Sequence, residues 1–462
     1  MTATAAPFSA LPDVGAELVV KYDRRAPGYT RYPPVAAWSA ELGPTAYRDA
    51  LAAAAVDQAG TLSVYVHLPF CPHRCLYCGQ DVVVTRRRGA LEAYLIRLEE
   101  EVDLVTDVVG QRRRVTQLHV GGGTPNYLDD GELDRLWRML DARFDLTATE
   151  DTSIEADPRL GAAEQLTRLH ALGFRSVSFG VQDLDLRVQQ AIGRVQPLDM
   201  LRHMVEAARA AGFSTIGLGL MYGLPEQTAE SLGHTMDGVL ELAPDRVACF
   251  GYVHQPGVHP HQRVLERYRL PDCQERFALQ RLAVERLTEA GYAWIDPDHF
   301  ALPHDALLRA SAEGPLHGSS NGCTAVLPTD LLGFGISAIG EVAGLMVQND
   351  GDLAGWHGAI ARGELATVRG HRLTEDDRRR RAAIRSLMCD LELPLELAEG
   401  LGDGLDSLLA FAEDGLVERR EDRVVVTPIG RYFLRTLCTA FDAYLPNAAD
   451  AEASCSQSQH TH

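Results

Sequence analysis

No stretch of this 462-residue chain is apolar for long enough to span a bilayer. The longest hydrophobic runs are short and interrupted, so no transmembrane helix is expected. The first twenty residues lack a basic segment followed by an apolar one. No secretory signal is therefore expected, and the expected location is the cytoplasm. Positive charge is scarce: 44 Lys and Arg stand against 64 Asp and Glu, a formal net charge of −20. That balance excludes a general nucleic-acid or anionic-membrane binder, which needs a basic footprint. Evenly paired cysteines are lacking as well. There are nine, three of them packed into residues 71–78 and six scattered at Cys249, Cys273, Cys323, Cys389, Cys438 and Cys455. In a cytosolic chain one tight cysteine cluster points to metal binding rather than disulfides. The scattered six read as buried small residues or inert thiols. No internal repeat is detectable.

The length implies more than one compact unit. Residues 1–60 read as an N-terminal arm, whose Tyr22, Tyr29, Tyr32, Pro27, Pro33 and Pro34 suit an extended segment laid over a larger body. From residue 61 to 345 apolar runs alternate with amphipathic stretches. The runs are Leu62–Leu68, Val115–Val120, Thr152–Ala156, Ser176–Gly180, Ile216–Met221 and Arg246–Tyr252. Six βα units in series predict an α/β fold with a parallel sheet, either an open partial barrel or a doubly wound sheet. In a barrel, chemistry sits at the C-terminal strand ends. Residues 346–446 read as a mostly helical, winged-helix-like domain with a hairpin at Leu416–Val426 and a helix from Pro428 to Leu445. Residues 447–462 read as a disordered tail.

Directly after the first strand comes Phe70-Cys71-Pro72-His73-Arg74-Cys75-Leu76-Tyr77-Cys78. Three thiolates on one short loop can ligate three irons of a [4Fe–4S] cubane and leave the fourth iron open. An open iron can chelate the amino and carboxylate groups of S-adenosylmethionine (SAM). One electron from the reduced cluster then breaks its C5′–S bond to give a 5′-deoxyadenosyl radical. The competing reading is a zinc site, with His67 or His73 as fourth ligand.

Reading outward from the cysteines, the chain resembles the oxygen-independent coproporphyrinogen III oxidases and their relatives (the HemN-like family) in the radical SAM superfamily. The resemblance runs from Lys21 to Leu445. It is carried by KYDRRAPGYTRYP (Lys21–Pro33), VYVHLPFCPHRCLYCG (Val64–Gly79), HVGGGTPNYL (His119–Leu128) and SIEADPR (Ser153–Arg159). It continues in FGVQDLD (Phe179–Asp185), MYGLPEQT (Met221–Thr228), DHF (Asp298–Phe300), LLGFGISAI (Leu331–Ile339) and GRYFLRTLCTAFDAYL (Gly430–Leu445). The fold it implies is a partial (β/α)6 barrel with an N-terminal arm and a C-terminal helical domain. The cofactors it implies are the cluster, on Cys71, Cys75 and Cys78, and two molecules of SAM. Around the first SAM it places Tyr65, Gly122, Glu155 and Ile339; around the second, Tyr77, Gly123, Thr124, Gln182, Arg194 and Val253.

The chain departs from that family at four places. The family's Cys-Gly-Cys ends here as Cys78-Gly79-Gln80. Its PRYTSYP arm has Gly28 at the Arg position. An Asp near the second ribose is Gly219. The late-loop HRNFQGYTT is HGSSNGCTA (His317–Ala325), so that Gly318, Ser319, Ser320 and Cys323 replace larger or charged residues. Fewer cationic and aromatic contacts suit a less anionic substrate than a porphyrinogen. The expectation is therefore a class C radical SAM methyltransferase or cyclopropanase of natural-product biosynthesis, transferring a methyl or methylene group to an sp² carbon of a small unsaturated molecule. The alternatives are oxidative decarboxylation of coproporphyrinogen III and a heme chaperone. The partners implied are a small unsaturated or aromatic substrate, an electron donor such as flavodoxin or ferredoxin, and a methyltransferase-like partner protein.

Overall fold

The computed structural model describes residues 14–445 apart from 24, 25, 148, 150, 314–316, 320, 321 and 325–327, with backbone alone for the rest of 310–327. All six apolar runs are strands: β1 Leu62–Leu68, β2 Val115–Gly122, β3 Asp151–Ala156, β4 Ser176–Gln182, β5 Thr215–Tyr222 and β6 Arg246–Gly251. Each pairs in parallel with the next. Helices such as Arg88–Val109, Ala163–Leu172, Leu198–Ala211 and Ala229–Leu242 return the chain between them. This is the partial-barrel alternative rather than a sheet wound in two directions.

Burial alternates along the strands. In β4, Val177, Phe179 and Val181 are buried, while Ser176, Ser178, Gly180 and Gln182 are less so. In β3 the buried set is Thr152, Ile154 and Ala156, and Ser153 and Glu155 lie on the other face. The aliphatic side chains thus pack on the helices, and the barrel's inner face carries small and polar residues. Register lines them up in rows: Tyr65 opposes His119, which opposes Ser153, and Glu155 opposes Ser178. The C-terminal ends of these strands are where such a barrel places its chemistry.

Among the described residues the sheet has 12 strands and extends past both ends of the βα series. After β6 come β7 Ala293–Trp294 and β8 His299–Ala301; on the far side β9 Asp330–Phe334 runs parallel to β1. Then β10 Ile339–Val342, β11 Leu345–Asn349 and β12 Thr367–Arg372 continue it antiparallel. The boundary expected between residues 345 and 346 falls inside β11, because that strand completes its hydrogen bonds with β10 and β12 rather than opening a new unit.

The helical expectation for the C-terminal region holds, with a three-stranded sheet of Glu392–Pro394, Val417–Arg419 and Arg423–Val426. The helix expected over Pro428–Leu445 is split into Gly430–Phe433, Leu434–Cys438 and Thr439–Phe441. The arm is less extended than expected, with helices at Ala16–Tyr22 and Pro44–Ala54. Between them it is tied down at several points. Tyr29 donates to Asp442 at 3.0 Å, Arg381 donates to the Tyr32 carbonyl at 2.8 Å, and Ser39 exchanges backbone hydrogen bonds with Gly370 on β12. The expected disordered tail and Ser320 lie outside the described residues. No helix among the described residues is long and apolar enough to cross a membrane.

One buried acid links the barrel to its last strands. Glu101 is 2 % exposed. It accepts from the Gly335 N–H at 2.7 Å and the Asn349 amide at 2.6 Å. Burial pushes its carboxyl from 4.5 up to about 7. The folded chain therefore keeps a proton that the unfolded chain has lost, so stability falls as pH rises from 4.5 to about 7 and levels off above. A shift of that size is worth on the order of 3 kcal/mol. Glu101→Gln cannot ionise. It is expected to be less stable at acidic pH, having one acceptor fewer, but to lose that part of the slope. Urea midpoints measured across the window check this; a slope equal to wild type would contradict it.

Candidate active site

The cluster loop leaves the end of β1 and is held from several sides. Phe70–Cys71 pairs with Val83–Val84. Leu76 N–H donates to the Ile192 carbonyl at 3.0 Å. From the loop after β6, His261 meets the Cys78 carbonyl at 2.7 Å and Gln262 donates to the Tyr77 carbonyl at 3.0 Å. Cys75 is buried, and Cys71 and Cys78 are half-buried; all three are free thiols. Burial pushes the Cys71 thiol up to about 11, the Thr124 hydroxyl at 3.2 Å acting the other way, and burial raises Cys78 as well.

Among the described residues no three His, Cys, Asp or Glu side chains gather tightly enough for a single metal ion. A cubane asks for something else, since each thiolate takes its own iron. The two histidines considered as a fourth zinc ligand are otherwise engaged. His67 contacts the Tyr65 hydroxyl at 3.0 Å and the Asp81 carbonyl at 3.2 Å, and burial keeps its ring neutral. His73 lies 3.2 Å from Arg86. The donor set fits an iron–sulfur cluster.

The residues expected around the first SAM converge at the ends of β1, β2 and β3. Tyr65 stacks on His119 with ring centroids 5.8 Å apart. His119 is oriented by Ser153 at 2.8 Å and lies 3.6 Å from Glu155. Glu155 sits deep in the barrel, yet 46 % of its side chain is accessible. Its second oxygen accepts the Gly122 N–H at 3.1 Å. Burial works to raise its carboxyl, but His119 and this N–H outweigh burial and hold it below the usual range. An ionised, partly accessible acceptor suits a ligand's paired hydroxyls. Gly122 has φ +112°, and a Cβ there would come within 2.7 Å of the His67 ring. A Cβ on Gly123 would come within 2.6 Å of the Pro69 carbonyl. Both positions need glycine for the turn to lie against the cluster loop. Ile339 packs beside Trp38, Met346 and Leu373.

The second expected group is less closed. Gln182 ends β4 at a register shift, with φ +64°, a strained conformation for a side-chain-bearing residue. Its Oε1 and the Arg194 Nε are buried without a hydrogen-bond partner, and both side chains crowd the space above Gly180. Orphaned buried polar atoms at one point fit a polar ligand. Thr124, expected at the second SAM, turns its hydroxyl to Cys71. Val253 is 54 % exposed just beyond β6. A Cβ on Gly219 would meet nothing closer than 3.8 Å, so the space is open where the family has Asp.

The structure adds residues that were not singled out. Asp157 accepts from Arg194 at 2.9 Å and from Arg159 at 2.7 Å. Each arginine also reaches the Cys75 sulfur, at 3.6 Å. Burial works to raise Asp157, but the two guanidiniums outweigh it and lower its pKa. Asp157 and Arg159 stand in the SIEADPR segment, and their role is visible only once Arg194 arrives from a different βα unit. The late-loop departures fall largely outside the described side chains; Gly318 faces Cys323 in a short antiparallel backbone pair.

Comparison with known proteins places this geometry. The Radical SAM superfamily profile matches residues 65–239. The oxygen-independent coproporphyrinogen III oxidase of Pseudomonas aeruginosa is 38 % identical over 445 residues, 94 % of this chain and 96 % of the relative. The protein of the same name from Escherichia coli is 38 % identical over 441 residues, with the same coverage. The solved structure described as coproporphyrinogen III oxidase (HemN) from Escherichia coli, a radical SAM enzyme, superposes with a TM-score of 0.87 at 36 % identity. It covers 94 % of this chain and 100 % of that one. These relatives carry the name of the decarboxylation alternative and give no support to methyl or methylene transfer, the expectation drawn from the altered substrate wall. The chain belongs to the radical SAM superfamily, in the family of the oxygen-independent coproporphyrinogen III oxidases, and uses a [4Fe–4S] cluster and S-adenosylmethionine.

Proposed function

We propose that this protein oxidatively decarboxylates propionate side chains of coproporphyrinogen III. The observation that carries the reading is the full-length match to the E. coli enzyme, TM-score 0.87, with the inner-face lattice of Tyr65, His119, Gly122 and Glu155 intact around the cluster loop. When bound, the cluster and SAM supply a carbon radical that abstracts hydrogen.

The chain's own residues do the rest. Cys71, Cys75 and Cys78 would hold the cluster by three of its irons. Glu155 accepts the ribose hydroxyls of the first SAM, and the Gly122–Gly123 turn lets backbone approach it. Ile339 packs on its adenine. Gln182 and Arg194 hold a second SAM beside the first. Arg194 suits its carboxylate through its planar, always-charged guanidinium. Tyr77 and Val253 give that site its apolar contacts.

The test is anaerobic turnover of the reconstituted protein with coproporphyrinogen III, SAM and a reductant. The expected products are protoporphyrinogen, CO₂, 5′-deoxyadenosine and methionine. Formation of S-adenosylhomocysteine without CO₂ would refute the decarboxylation and favour methyl transfer to another substrate.

A further inference from the structure

The arm lacks the cation of the PRYTSYP motif at Gly28, but three residues later, where that motif has serine, it carries Arg31. Arg31 sits between two tyrosines that both turn toward the C-terminal region. Tyr29 donates to Asp442 at 3.0 Å and Tyr32 to the Phe441 carbonyl at 3.4 Å. The same stretch of arm leans on the first SAM wall, where Val35, Ala37 and Trp38 pack with Ile339.

Arg31 itself is half-buried. Among the described residues it makes no hydrogen bond and no ion pair within 4.0 Å. The groups that act on it electrostatically are Tyr65, on the inner face of β1, and Glu341, on β10 two residues beyond Ile339. Tyr65 feels Arg31 in return. Glu341 is already engaged: Arg381 donates to it at 2.6 Å and holds the Tyr32 carbonyl at 2.8 Å with its other edge. A positive charge is thus held half-buried within electrostatic reach of Tyr65, with no ion-pair partner among the described residues. Burial works against that charge and lowers its pKa, as expected of a cation whose partner is missing.

A half-buried guanidinium that no protein carboxylate engages is free to take one from a ligand. A guanidinium suits a carboxylate best, through two parallel N–H···O bonds. We propose that Arg31 binds a carboxylate of the substrate above Tyr65 and is a specificity-determining residue for a polycarboxylate. This rests on the decarboxylation reading.

The experiment uses full-length holoenzyme and coproporphyrin III, the oxidised, unreactive tetracarboxylate, followed by fluorescence quenching. Arg31→Gln is expected to weaken its binding at least about tenfold, as loss of a charge-assisted bond implies. In turnover it should raise KM for coproporphyrinogen III with kcat little changed. Arg31→Lys should retain part of the affinity, since it keeps the charge and loses the fork; it carries the test if Arg31→Gln fails to fold. The electron paramagnetic resonance change on adding SAM to the reduced cluster should match wild type in both variants. Unchanged coproporphyrin III affinity in Arg31→Gln, with wild type binding normally, would overturn the assignment. So would a lost SAM response, which would place Arg31 at the cofactor instead. If wild type neither binds coproporphyrin III nor converts the porphyrinogen, the decarboxylation reading falls and takes this assignment with it.

Discussion

Alanine at Cys71, Cys75 or Cys78 is expected to abolish the cluster and SAM cleavage outright. Wild type reconstituted without oxygen should hold about four irons per chain. Each thiolate would hold its own iron. Losing one leaves two protein ligands for a cubane that already has an open corner. Iron content should fall to near zero in all three variants and 5′-deoxyadenosine to background. The controls are Cys249→Ala and Cys438→Ala. Both thiols are buried, at 3 % and 0 % exposure, and burial raises both. Cys249 lies on β6 and Cys438 in a C-terminal helix. Iron loading in these two should match wild type. SAM cleavage surviving in any one of the three loop variants would break the ligand assignment.

The second large effect is expected at Asp157. It is 5 % exposed and is the shared carboxylate between Arg159 and Arg194. The two guanidiniums repel each other. Without the carboxylate they would sit beside the cluster loop uncompensated, and Arg194 is itself 6 % exposed. Removing one partner of a buried ion pair costs on the order of 3–5 kcal/mol. Asp157→Ala is expected to lower the thermal midpoint of the cluster-free protein. It should also cut 5′-deoxyadenosine formation more than about tenfold, because the two arginines that reach the Cys75 sulfur lose the carboxylate that orients them. Asp157→Asn keeps the shape and one acceptor and should fall between. A thermal midpoint equal to wild type in Asp157→Ala would show that Asp157 carries no such load.

The expectation of methylene transfer came from counting lost charge position by position: Gly28 for Arg in the arm, and small residues in the late loop. Charge acts through space. The arm that lacks a cation at residue 28 carries one at residue 31, within electrostatic reach of Tyr65 and Glu341, and no periodicity or spacing reports where an arm residue ends up.

What the sequence by itself determined is local. Leu62–Leu68 and its five successors are strands because β-branched and apolar runs bounded by turn signals admit little else. The cluster loop is legible because its ligands lie within eight residues and their spacing is the chemistry. Gly122 and Gly123 were legible for the same reason, as a turn that must approach closely. Only the tertiary structure decided the rest. The Arg194 contact to Cys75 spans 119 positions and the buried Arg112–Asp330 pair spans 218. The strands that extend the sheet to Arg372 were likewise hidden, because an edge strand is defined by the neighbour it pairs with. Arg31 is left without an ion-pair partner among the described residues only because Glu341, within its electrostatic reach, is taken by Arg381. Contacts of that range depend on which βα units end up adjacent, a property of the closed sheet that no short window of residues contains.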